Sequence, residues 1–138
     1  VSQKPNRPDW LECDVPGPDS RSRTVPPNQS KITISVGPGH QLTIPQGAAE
    51  PGTEFTVSVH LGGKPGVEIE MKPEATLKHP AELIIRYAHC KPKGKPADYG
   101  IWRLTPDGDP VRVGGRPVPG QGIGVDLSDF STYCLAAN

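Results

Sequence analysis

The chain has 138 residues with 15 basic and 15 acidic side chains, so its formal net charge is zero. No global field draws it to nucleic acid or to a membrane surface, and no apolar run approaches the roughly 18 residues that span a bilayer. Proline (18) and glycine (16) are scattered throughout; proline costs about 3 kcal/mol inside a helix, so the composition excludes a helical fold and favours short strands joined by turns.

Residues 1–30 are rich in Pro, Asp, Arg and Ser and carry no alternating pattern. They read as a tail, partly anchored through Trp10, Leu11 and Cys13. No leader is visible and Val1 is an unusual first residue, so the expectation is a mature form or an excised piece. Asn28-Gln29-Ser30 fits the glycosylation sequon, which matters only in a secretory eukaryote.

Alternation begins after Lys31. Ile32 and Ile34 share a face, Gly37-Pro38-Gly39 turns, and Leu42 and Ile44 follow. Phe55, Val57, Val59 and Leu61 line one side of the next strand, then Val67, Ile69 and Met71 do the same. Leu83, Ile85 and Tyr87 follow Pro80. Trp102 and Leu104 are read as one buried face before the turn Pro106-Asp107-Gly108, with Val111 and Val113 on the returning strand. Ile123, Val125 and Leu127, then Tyr133 and Leu135, complete the set. This predicts an all-β fold, an antiparallel β-sandwich of about nine to ten strands over residues 31–138. Val57, Val59, Leu61, Ile69, Leu83, Ile85, Trp102, Leu104, Val125, Leu127 and Leu135 are its expected core.

Two segments, with a shorter match between them, resemble the ZU-five domain, the β-sandwich module of ankyrins, netrin receptors and the zonula occludens scaffold. The first is Leu42-Thr43-Ile44-Pro45-Gln46-Gly47-Ala48-Ala49-Glu50-Pro51-Gly52-Thr53, similar to that family's strand, Ile-Pro-x-Gly-Ala and Gly-Thr. Pro45 stops a ladder, Gly47 permits an unusual turn, and Ala48 is small enough to tuck under a sandwich edge. Lys72-Pro73 and Lys78-His79-Pro80 resemble the family's middle segment. The second is Asp129-Phe130-Ser131-Thr132-Tyr133, similar to the closing strand. In self-cleaving relatives this strand carries His-Phe-Ser and breaks before the serine. Here Asp129 replaces the histidine. A carboxylate with an ordinary pKa of about 3.9 is a weak base for activating Ser131. The resemblance therefore implies a non-catalytic module that binds a protein or packs against a neighbouring domain. The alternative is autoproteolysis between Phe130 and Ser131, with Asp129 and Ser131 as its residues.

Other motifs carry less chemistry. Lys91-Pro92-Lys93-Gly94-Lys95-Pro96 is a basic loop, and Lys91, Lys93 and Lys95 are the candidate contacts for an acidic partner. Tyr99 follows it at a strand edge and is read as exposed; with its loops it would make a small carbohydrate-binding platform, a second alternative. Of four histidines (His40, His60, His79, His89), only His89 adjoins a cysteine. On a strand, His89 and Cys90 would point to opposite faces, so no metal site and no cofactor is expected. Asp107-Gly108-Asp109 lacks the carboxylates of a calcium loop. Cys13, Cys90 and Cys134 have no zinc spacing. A Cys13–Cys90 disulfide would anchor the tail and imply a secreted or cell-envelope setting, whereas reduced thiols would suit the cytoplasm; Cys90–Cys134 is the other pairing. A monomer is expected.

Overall fold

A computed structural model describes residues 8–13, 19–37, 39–59, 66–105 and 109–138. Eleven strands occur among them: β1 (Ser20–Thr24), β2 (Ile32–Val36), β3 (His40–Ile44), β4 (Glu54–Val59), β5 (Gly66–Lys72), β6 (Ala81–Arg86), β7 (Gly100–Leu104), β8 (Val111–Gly114), β9 (Arg116–Val118), β10 (Gly122–Leu127) and β11 (Thr132–Ala136). One 3-10 turn, Pro96–Asp98, is the only helical element among the described residues. The strands form two antiparallel sheets, β1-β4-β5-β11-β7-β8 and β2-β3-β6-β10-β9, packed face to face as a β-sandwich.

The alternation that marked the strands also fills the core. Ile32, Ile34, Leu42, Ile44, Phe55, Val57, Val67, Ile69, Leu83, Ile85, Ile123, Tyr133 and Leu135 are all buried in one cluster. Each such side chain contributes roughly 1.5–3 kcal/mol by leaving water. Val59 is only half-buried against this cluster. Leu61, His60 and the turn Pro106-Asp107-Gly108 lie outside the described residues.

Two features correct the sequence reading. First, the sandwich starts before residue 31. β1 pairs with β4 from Ser20↔Ser58 to Thr24↔Glu54. Its Ser-Arg-Ser-Arg-Thr sequence has no apolar residue, and every position is exposed. Hydroxyl pairs hold it instead: Ser20 with Ser58 at 3.0 Å and Ser22 with Thr56 at 2.8 Å. Second, the parity of β7 is reversed. Ile101 lies opposite Leu135 and belongs to the core, so Trp102, opposite Cys134, stands on the outer face. Trp102 is nonetheless buried, its indole N–H donating to the Asn138 carbonyl at 2.9 Å, while Leu104 is only partly buried. Val111 and Val113 lie on strand β8 as read, and both side chains are exposed, at 56% and 37%.

The Ile-Pro-x-Gly-Ala turn behaves as its residues dictate. Gly47 adopts φ 75°, and its N–H donates to the Gln29 carbonyl at 3.0 Å. Ala48 is buried beneath the sheet edge, and its carbonyl accepts from the Lys78 N–H at 2.9 Å.

Candidate functional site

Four places in the fold bear on function: the Asp129–Ser131 corner, the basic loop, the disulfide beside His89, and the β8 margin. Leu127 ends β10, residues 128–131 cross between the sheets, and β11 starts at Thr132. Phe130 packs edge-on against Phe55, with ring centroids 5.7 Å apart. The Tyr133 hydroxyl donates back to the Asp129 carbonyl at 3.0 Å. Burial raises the pKa of that phenol to about 12, so it stays a donor.

Both candidate catalytic groups have partners of their own. The Ser131 hydroxyl donates to the Leu104 carbonyl at 3.1 Å, and the Ser131 carbonyl accepts from the Ile69 N–H. The Asp129 carboxylate turns to Arg103 instead, with Nη1 at 3.4 Å from each oxygen. No hydrogen bond joins Asp129 to Ser131 among the described residues. Asp129, Arg103 and Phe130 border an open groove of about 860 Å³ that continues past Ile69, Met71 and Glu74. Arg103 lies on the core-facing side opposite Tyr133, and its Nε is buried with no partner among the described residues.

The basic loop faces the chain's own acids. Lys93 Nζ pairs with Asp9 at 2.5 Å and also donates to the Trp10 carbonyl; Lys91 pairs with Glu12 at 3.7 Å. These acids sit on residues 9–13, which run beside the end of β11. Ala137 N–H donates to the Asp9 carbonyl at 2.8 Å, Leu11 N–H donates to Leu135, and Trp10 bridges Ala136. β5 pairs β11 only at Thr132–Cys134, so this segment takes the place that β5 leaves. Leu11 is fully buried there. Lys95 remains exposed. Tyr99, expected at the surface, is 3% exposed. Its ring packs edge-on against Tyr87 at 5.2 Å and its hydroxyl accepts from the Lys93 N–H. Stacking it under a sugar would require removing it from the core.

The same segment ends in the disulfide. Cys13 and Cys90 are bonded across 77 residues, while the buried Cys134 takes no part. Closure also brings Lys91 N–H to the Glu12 carbonyl at 2.8 Å. His89 and Cys90 do not alternate on a strand: residues 88 and 89 form a turn, and the Cys90 N–H donates to the Tyr87 carbonyl. His89 Nε2 therefore lies 3.8 Å from Cys90 Sγ, on the same side. One ligand atom each from Cys13, His89 and Cys90 fall within 4.8 Å of one another. The premise that kept His89 and Cys90 apart does not hold.

The chain matches no protein-family model, and its sequence matches no curated protein.

At the margin, β8 pairs with β7 on one side and with no other strand among the described residues. Val111 stands opposite Arg103, on the side that faces the second sheet, and Val113 follows two residues on. Gly114 and Gly115 then carry the chain to β9, the edge of the other sheet. Gly115 has φ 158°, and a Cβ there would sit 2.9 Å from the Tyr99 carbonyl and 3.0 Å from Ile123. The chain is closely packed at Gly115, whereas Val111 is exposed. Composition had marked these valines as strand residues, but an edge position is a property of topology and leaves no mark in a four-residue sequence.

Proposed function

We propose that this chain is a non-catalytic β-sandwich module, monomeric by itself, that packs against a protein partner or a neighbouring domain through its β8 margin. The observation that carries the reading is the pairing of an open strand edge with Val111 and Val113, the large apolar side chains left exposed among the described residues. An added strand would satisfy the free backbone groups of β8 while covering both valines. The resemblance to ZU-five domains supports the same class of function. The engagement of Ser131 with Leu104 and of Asp129 with Arg103 argues against the self-cleaving alternative, because the hydroxyl is bonded to a carbonyl and to no base among the described residues. The Cys13–Cys90 bond supports work in an oxidising setting, outside the cell or in its envelope.

The test uses the purified chain as bait in an extract of its source, beside a Val111→Asp/Val113→Asp variant. A partner retained by the wild type and lost by the variant is the expected result. Equal retention by both, or accumulation of a fragment beginning at Ser131 on prolonged incubation, would overturn it.

A further inference from the structure

We infer that Cys13, His89 and Cys90 form a second kind of clasp when the disulfide is reduced: a site for a soft divalent ion, zinc by preference. Two thiolates and an imidazole are the donor set that zinc selects, and three protein ligands plus water complete a tetrahedron. Zinc–sulfur bonds of about 2.3 Å and zinc–nitrogen bonds of about 2.0–2.1 Å put the sulfur and nitrogen corners of a tetrahedron roughly 3.6 Å apart. His89 Nε2 already lies 3.8 Å from Cys90 Sγ. All three ligand atoms fall within 4.8 Å, and all three residues are half-buried, which leaves room for a fourth, exchangeable ligand.

Both cysteines are held in position by more than their own bond. Cys90 closes a turn through its N–H to Tyr87. Cys13 ends a segment fixed by Leu11 in the core, by Lys93 on Asp9 and by the Lys91 N–H on the Glu12 carbonyl. Reduction therefore leaves two thiols side by side instead of releasing one into solvent. The ring of His89 is braced edge-on by His40, with centroids 5.7 Å apart. A metal bridge would tie residue 13 to residue 90 as the disulfide does, so the N-terminal segment stays docked in either redox state.

The chemistry balances with a phosphine as reductant. The phosphine takes oxygen from water and becomes its oxide, and the disulfide takes two electrons and two protons to give two thiols. Zinc then displaces both thiol protons, binds the two thiolates and the neutral imidazole, and releases two protons to buffer.

Cobalt(II) titration of the phosphine-reduced chain, freed of reductant under argon, tests the idea. One equivalent should produce thiolate-to-cobalt charge transfer and tetrahedral ligand-field bands, both bleached by one equivalent of zinc. Cys13→Ser should abolish the signal. His89→Ala should weaken zinc by more than the roughly 10–100-fold that losing a mere outer-shell partner costs. Cys134→Ala should leave it unchanged. Hydrogen exchange gives a second reading: the amides of Leu11 and Ala137 should exchange faster on reduction and recover with zinc. Absence of tetrahedral bands, binding that persists in Cys13→Ser, or equal zinc affinity in His89→Ala and wild type would each overturn the inference.

Discussion

The Nδ1 atom of His40 accepts a hydrogen bond from the Arg86 backbone N–H at 3.0 Å, joining the first residue of β3 to the last of β6. His40 is 1% exposed. Burial, followed by the charges of His89 and Arg86, lowers its pKa from 6.5 to about 4. The neutral ring is the folded form, and protonating Nδ1 would cost the bond to Arg86.

Stability should therefore depend on pH in a defined direction. The folded pKa lies below the unfolded one, so the stabilisation is complete above about pH 6.5 and is lost as pH falls toward about 4. The full difference corresponds to about 3 kcal/mol. Urea midpoints at pH 7.5 and pH 4.5 measure it. His40→Leu should lower stability at the higher pH and flatten the difference; an unchanged pH slope in that variant would show that other groups carry it.

The Tyr133–Asp129 bond gives a second expectation. Tyr133→Phe removes the donor and leaves a carbonyl needing a partner, at a cost of about 1–3 kcal/mol. Ser131→Ala loses only its bond to Leu104 and should cost about 1 kcal/mol. Neither change should alter the covalent chain. Intact mass before and after long incubation checks this, and a wild-type cleavage product absent from Ser131→Ala would contradict it.

Gly66 cannot accept a side chain. It lies opposite Cys134, where a Cβ would strike the Tyr133 carbonyl and approach Cys134 Sγ to 2.6 Å. Gly66→Ala should cost about 1–3 kcal/mol through overpacking, with β5 and β11 forced apart. Chemical denaturation measures the loss. Because the Tyr133 backbone carbonyl is the closest atom, Gly66→Ala/Cys134→Ala should remain less stable than Cys134→Ala alone; a neutral effect would mean that the β5–β11 backbone shifts at little cost.

The disulfide should be a large contributor to stability. Closing a loop across 77 residues stabilises by about 4–5 kcal/mol in the chain-entropy model. Cys13→Ser/Cys90→Ser compared with wild type in denaturant without added metal measures it. Lys93→Ala should cost far less, below about 1 kcal/mol, because its ion pair with Asp9 is exposed and screened.

Much of the sandwich was legible because burial on one side of a strand writes a period of two into the sequence, as at Ile32/Ile34, Leu83/Ile85 and Ile123/Val125. β1 was illegible because its partner is held by serine and threonine hydroxyls, with nothing apolar to count. β7 misled for the opposite reason. Ile101, Trp102 and Leu104 offer apolar residues at both parities, and the larger one is buried on the outer face under Asn138. The disulfide pairing was readable from the need to anchor a tail. The meeting of Lys93 with Asp9 was not, since it joins residues far apart in sequence across the end of β11. Adjacency in sequence suggests strand neighbours at His89 and Cys90, whereas a turn puts them on one side.

The closeness of residue 9 to residue 138 has a mechanical consequence. Asp9 N–H donates to Asn138 Oδ1 at 2.8 Å, so the two ends of the described chain leave the sandwich together. Tension applied across them would first unzip residues 9–13 from β11 and then reach Cys13. From there the covalent load path crosses directly to Cys90 and runs through β7 to β11. The strands β1 to β6 lie off that path. Half of the fold is thus shielded from pulling until the bond between the two cysteines is broken, and reduction would lengthen the tether that force can draw out.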